Sequence, residues 1–148
     1  MKLTWTLPAA MCDFVNLTRL DLSNTSLPGT FPGATLYRCS QLRFLDLANN
    51  TLHGALPRDI GNLSPVMEHL NLSWNSFSGD FPEKIWLLPE LEWVVIENNN
   101  FTGALPAVIS PNIQRIEMGN IMFSGSIPRT AIKLSVFTAE NNQLDGEL

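Results

Sequence analysis

A sixteen-residue pattern returns down almost the whole chain, and it restricts the fold more than any other feature. Residues 42–57 show it complete as LRFLDLANNTLHGALP, that is L-x-x-L-x-L-x-x-N-x-L-x-G-x-L-P. Copies stand at 17–32, 67–82, 91–106 and 113–128, with a shortened one at 134–148, and their starts are 25, 25, 24, 22 and 21 residues apart. Within one copy, Leu45 and Leu47 alternate with the period of a strand. They therefore point inward and Asp46 points outward. Asn50 stands at the turn leaving that strand, where an amide can both donate to and accept from the backbone. Its column runs Thr25, Asn50, Asn75, Asn99, Ile121, Asn142. Thr25 can take over part of that bonding and Ile121 none of it, so the amide ladder is expected to be weakest at the fifth copy. Leu52 and Leu56 return to the core. Gly54, in a column with Gly29, Gly79, Gly103, Gly125 and Gly146, and Pro57 mark the next bends.

A repeat of 20–29 residues with this consensus is that of the leucine-rich repeat. The L-x-G-x-(I/L/F)-P half narrows the likeness. The stretches AMCDFVNLTRLDLSNTSLPGTFP (10–32), LYRCSQLRFLDLANN (36–50) and LNLSWNSFSGDFPEKI (70–85) resemble plant extracellular repeats of receptor-like kinases, receptor-like proteins and polygalacturonase inhibitors. The nearest likeness is to the ectodomains of HAESA-like receptor kinases, over essentially all of the chain. The expected fold is one right-handed leucine-rich-repeat solenoid of the α/β horseshoe type, rich in β and built on a repeat of about 24 residues. A parallel sheet lines its concave face, a second row of short strands flanks that sheet, and short 3₁₀ segments or single-turn helices lie on the convex side. The solenoid occupies 1–148 as a single domain. Residues 1–16 form part of a preceding repeat, with Trp5 of TWTLP (4–8) where a glycine belongs. Full repeats start at 17, 42, 67, 91 and 113, and an incomplete one starts at 134.

Charge excludes one class of partner. The net charge is −5, and the nine lysines and arginines are scattered, whereas nucleic-acid binding rests on clustered basic residues. No apolar run approaches the ~18 residues of a membrane span. Lys2 is followed by an apolar stretch that Thr4, Thr6 and Pro8 interrupt, so no cleavable leader is read. From Met1 as a native start that implies a cytoplasmic chain, whereas the lineage implies an extracellular or cell-surface one. Six Asn-x-Ser/Thr sequons, at Asn16, Asn24, Asn49, Asn62, Asn71 and Asn100, favour the secretory route as candidate glycosylation sites. Cys12 and Cys39 precede consecutive repeats, which fits either a disulfide between neighbouring coils or two buried thiols.

Residues suited to chemistry are sparse. His53 and His69 occupy different positions in different repeats and, with two distant cysteines, have no metal-ligand spacing. Glu92, Glu97 and Glu117 read as solvated strand residues. No nucleophile, phosphate-loop or metalloprotease motif is present. The kinase motifs that the resemblance would bring are missing too, so no catalysis, cofactor or metal is expected. Variation falls instead on the outward strand positions. The third column is Arg19, Phe44, His69, Trp93, Arg115, Val136; the fifth includes Val95 and Glu117; the eighth is Asn24, Asn49, Trp74, Asn98, Asn120, Asn141. Exposed aromatics and arginines are what binding hot spots favour. The expected ligand-binding residues are Arg19, Phe44, His69, Trp74, Trp93, Val95, Arg115 and Glu117, although these aromatics can equally pack on one another.

The resemblance implies recognition of a peptide or protein on the concave face, with a co-receptor or full-length receptor as a further partner. Two rivals stand beside it. One is a truncated decoy or relic that associates laterally with full-length receptors. The other is a polygalacturonase-inhibitor-like defence protein, against which the lack of capping cysteines at both ends counts.

Overall fold

The computed structural model describes residues 5–145. Thr4 of the opening stretch, and Gly146 and Leu148 of the unfinished repeat, lie outside them. Each coil supplies two strands. They are β1 (Arg19–Asp21) and β2 (Pro28–Gly29), β3 (Phe44–Asp46) and β4 (Thr51–Ala55), β5 (His69–Asn71) and β6 (Ser76–Asp80). The next three coils give β7 (Trp93–Val95) and β8 (Asn100–Ala104), β9 (Arg115–Glu117) and β10 (Met122–Gly125), β11 (Val136–Thr138) and β12 (Gln143–Leu144). The odd-numbered strands form one parallel sheet in coil order and the even-numbered strands a second. The chain is thus a β-rich leucine-rich-repeat solenoid with the odd sheet on its concave face.

The period of two explains the strand burial. The middle residues Leu45, Leu70, Val94 and Ile116 are buried, while their neighbours on either side face out, and each coil repeats the register of the last. Backbone bonds carry the ladder beyond the strands: the Leu47, Leu72, Ile96 and Met118 N–H groups donate to carbonyls of the following coil at 2.8–2.9 Å. The column at the eighth position then turns the chain through left-handed backbone, with φ between 54° and 59° at Asn24, Asn49, Trp74, Asn98, Asn120 and Asn141.

Amides satisfy the turn that follows. Asn99 is buried. Its Oδ1 accepts from the Phe77 N–H at 3.1 Å, and its Nδ2 reaches the carbonyls of Leu72, Ile96 and Glu97. Asn50, Asn75 and Asn142 repeat that bridging. Thr25 keeps one part of it, its hydroxyl donating to the Leu22 carbonyl at 2.7 Å. Ile121 sits buried in the row with no polar atom to offer.

The convex side carries short single turns of both expected kinds. Among the described residues Ile60–Asn62 is the one 3₁₀ segment; α1 (Gly33–Leu36) and α2 (Glu83–Trp86) are single α-helical turns. In α1 the Leu36 and Tyr37 N–H groups reach back four residues, to Pro32 and Gly33, at 3.1 and 2.9 Å. Apolar spacing of three is compatible with both turn types, which is why the pattern does not distinguish them. Aromatics fill the middle of the core: Phe77 stacks on Phe101 at 5.8 Å, and Phe81 meets Trp86, Phe101 and Phe123. At the first coil, Cys12 and Cys39 are disulfide-bonded with a Cα–Cα distance of 5.1 Å. Arg38 reinforces the join through Asp13 at 2.8 Å, and the Trp5 indole N–H donates to the Thr25 carbonyl at 3.0 Å.

Candidate functional site

Parallel register stacks like positions directly upon one another, so the third column becomes a continuous row of side chains. The Arg19 guanidinium lies 3.7 Å from the centre of the Phe44 ring. Phe44 meets His69 edge-on at 5.8 Å, and His69 stacks on Trp93 at 4.4 Å. Arg115 closes the row 4.8 Å from the Trp93 ring centre and 3.4 Å from the Glu117 carboxylate. Cation–π and stacking contacts of this kind add to the burial of the rings. The aromatics therefore do pack on one another, and in doing so they build one wall of an open groove of about 470 Å³.

The fifth column is the floor, with Asp46, Asn71, Val95 and Glu117. Asp46 accepts from the Ala48 N–H at 2.9 Å and from the Asn71 amide at 3.3 Å. Burial nevertheless holds its carboxyl above the ordinary range, and the neighbouring Asp21 adds to that. The opposite wall comes from the seventh and eighth columns, chiefly Ser73, Glu97, Asn49 and Trp74.

Of the residues expected to bind a ligand, Phe44, His69, Trp74, Trp93, Val95, Arg115 and Glu117 line this one groove. Arg19 lies outside the lining and caps the row. His69 is therefore part of the stack rather than an ordinary surface histidine; its Nε2 is also 3.8 Å from Glu92. Asp46, Ser73 and Glu97 are lining residues that the three columns singled out above do not include as ligand contacts. For Ser73 and Glu97 the available signal was the seventh position, one of the two residues between the last inward leucine and the turn amide; it borders the groove even where, as at Ala48 and Ser73, it is buried. Among the sequons, Asn16, Asn24, Asn49, Asn62 and Asn100 are exposed, whereas Asn71 is half-buried on the groove floor.

Glu97 is not the freely solvated residue expected. Desolvation by burial, then repulsion from Glu117 and Glu140, raises its carboxyl above the ordinary range. A raised folded-state value means that the folded chain holds the proton more tightly than the unfolded one, so this group makes stability fall as pH rises through that window. Glu97→Gln should therefore raise Tm at pH 7, and the gain should vanish on acidification below the carboxylate range. Calorimetry at both pH values checks the sign; a gain independent of pH would contradict it.

Trp74 is the outlier of the site. Its column is otherwise asparagine, which tolerates left-handed backbone, yet Trp74 adopts φ 56°. The side chain gains little packing in return, since the residue is 56% exposed, against 38% for the stacked Trp93. Bulky residues in this region are rare and cost about 1–2 kcal/mol. Trp74→Asn should accordingly stabilise the chain by about 1 kcal/mol, read from the urea midpoint at unchanged slope. A loss of stability would mean that the indole is a packing element.

Known proteins fit this geometry. A leucine-rich-repeat family model matches residues 16–36, 41–63 and 67–88. Receptor-like protein 39 of Arabidopsis thaliana is 35% identical over 87 residues, covering 57% of this chain and 10% of the relative. Receptor-like protein 54 of the same plant is 34% identical over 147 residues, or 95% of this chain and 18% of the relative. The chain thus spans a tenth to a fifth of the length of these curated relatives. The ectodomain of the Arabidopsis receptor kinase HAESA, solved with the peptide hormone IDA and a co-receptor, superposes with a TM-score of 0.83 at 28% identity, covering 97% of this chain and 26% of that one.

Proposed function

Since the chain belongs to the plant leucine-rich-repeat proteins and resembles their receptor ectodomains, we propose that it is a non-catalytic recognition module that binds an extended peptide or protein segment along its concave groove. The observation that carries this reading is the pair of exposed tryptophans facing one groove across the sheet, one of them held in unfavourable backbone. Shape, aromatic contact and hydrogen bonding to the amides of Asn71 on the floor and Asn49 on the wall would supply affinity. A co-receptor or a full-length receptor is the natural second partner, because HAESA is seen in complex with one. A cell-surface location is part of the reading, supported by the disulfide, the exposed sequons and the receptor-like relatives. An intact mass above 16.5 kDa that falls on glycosidase treatment of the plant-expressed chain checks that location, and an unmodified chain would count against it.

The binding test is panning of a random dodecapeptide library against the wild type and against the Trp74→Asn, Trp93→Ala double variant. Peptides retained by the wild type should be lost by the variant while its circular dichroism is unchanged. Retention of the same peptides by both would move the site off the concave face, and retention of none by the wild type would end the peptide reading.

A further inference from the structure

The charges of the groove are unevenly spent. Asp46, Glu97 and Glu117 bring three carboxylates to the lining, and Arg115 is the one arginine or lysine among the described lining residues. Arg115 is already committed to the Trp93 ring and to Glu117. His69 is committed to the same stack. Asp46 is held by an amide and a backbone N–H. Glu97 differs: among the described residues no cation stands within ion-pairing distance of its carboxylate, and burial beside two other carboxylates disfavours its charge.

Glu97 and Trp74 are neighbours. The Trp74 N–H donates to the Glu97 carbonyl at 3.0 Å, joining the eighth position of one coil to the seventh of the next. Both residues line the groove. Trp74 has no stacking or cation partner of its own among the described residues, unlike Trp93. A planar π face and an unpaired carboxylate on bonded stretches of backbone in one groove are complementary to one chemical group, a cation that is flat or slender enough to lie on the ring. A guanidinium meets both demands, since it stacks on aromatic faces and binds carboxylates through its fork of donors.

We propose that the wall formed by Trp74 and Glu97 is a seat for a basic side chain, arginine above lysine, of the peptide segment that occupies the groove. This rests on the concave-face peptide reading and adds to it the charge of the occupant and the residues that read it. A neutral oligosaccharide is the other occupant that an exposed tryptophan with nearby amides would suit, but it would leave Glu97 uncompensated.

The test takes the tightest dodecapeptide that the wild-type chain retains from the random library and measures its Kd by titration calorimetry. Retained peptides should be enriched in arginine or lysine. Replacing that basic residue with glutamine should weaken binding about tenfold, and Glu97→Gln about fivefold. The two changes together should cost little more than either alone, since both remove the same contact. Trp74→Asn should weaken binding about tenfold, and all of these losses should shrink in high salt. Peptides retained without basic enrichment, or a glutamine replacement without effect, would overturn the cation seat and leave the peptide reading standing. Retention of no peptide would overturn both, and binding of cellohexaose in their place would assign the groove to sugar.

Discussion

Phe101→Ala should destabilise the chain by about 4 kcal/mol, the largest loss expected from any single aromatic truncation here. Phe101 has no exposed surface. Its ring lies flat against Phe77 at 5.8 Å and meets Phe81 edge-on at 5.1 Å, so truncation removes contacts to both sides. Transfer and cavity costs add when the surroundings cannot close the gap, and here the neighbouring coils are pinned by two sheets and the amide ladder. In a solenoid each coil is held only by its neighbours, and Phe101 lies in a middle one. Phe137, near the last described coil, is only half-buried, and Phe137→Ala should cost clearly less. Urea unfolding of both variants gives the comparison. Equal losses, or a loss under about 1.5 kcal/mol for Phe101→Ala, would mean that the core does not carry its stability in the middle coils.

The second large effect is covalent. Replacing both Cys12 and Cys39 with alanine should remove about 3–4 kcal/mol, because the bond closes a loop across 27 residues of the unfolded chain. For a chain of this size that lowers Tm by roughly 10 °C. The loss should not be spread evenly. Without the disulfide, residues 8–13 keep Arg38 to Asp13 at 2.8 Å and the Thr35 hydroxyl to the Pro8 carbonyl at 3.3 Å, both exposed or only partly buried. Hydrogen exchange should therefore rise first around Met11 and Asp13, whose N–H groups close the local turns. A Tm change below about 2 °C would show that the non-covalent contacts suffice.

Inward positions were the most legible part of the sequence. Leu45, Leu47, Leu52, Leu70 and Leu72 are all buried, because a period of two allows a leucine beside an outward residue only one direction. The third column was legible for the same reason, since one register repeated five times stacks it. What the pattern concealed is geometry that depends on distance between coils. It does not show that His69 and Trp93 lie 4.4 Å apart in parallel planes while Trp74 stands alone. Nor does it show that the eighth position is left-handed. Five asparagines there mark an outward column, and only their shared φ reveals why asparagine recurs and why the tryptophan is out of place. The seventh position escaped notice because its members, Ser23, Ala48, Ser73, Glu97, Gly119 and Glu140, share no chemistry. The cysteines were ambiguous because spacing along the chain does not state whether two side chains on neighbouring coils face each other.

Ile121 marks an interruption that the even strand spacing of the solenoid hides. Asn50, Asn75 and Asn99 lace the earlier coils together, and Asn142 laces the last two, but no amide crosses at Ile121. The amide row is therefore interrupted once, between the coil of Trp93 and that of Arg115, where backbone bonds such as Ile96 N–H to Glu117 O and Asn98 N–H to Gly119 O carry the ladder without it. Arg115 sits on one side of that gap and Trp93 on the other, in contact across it. The gap in the amide row thus falls beneath the end of the aromatic row and not beneath Trp74, whose coil keeps the amides of Asn75 and Asn99.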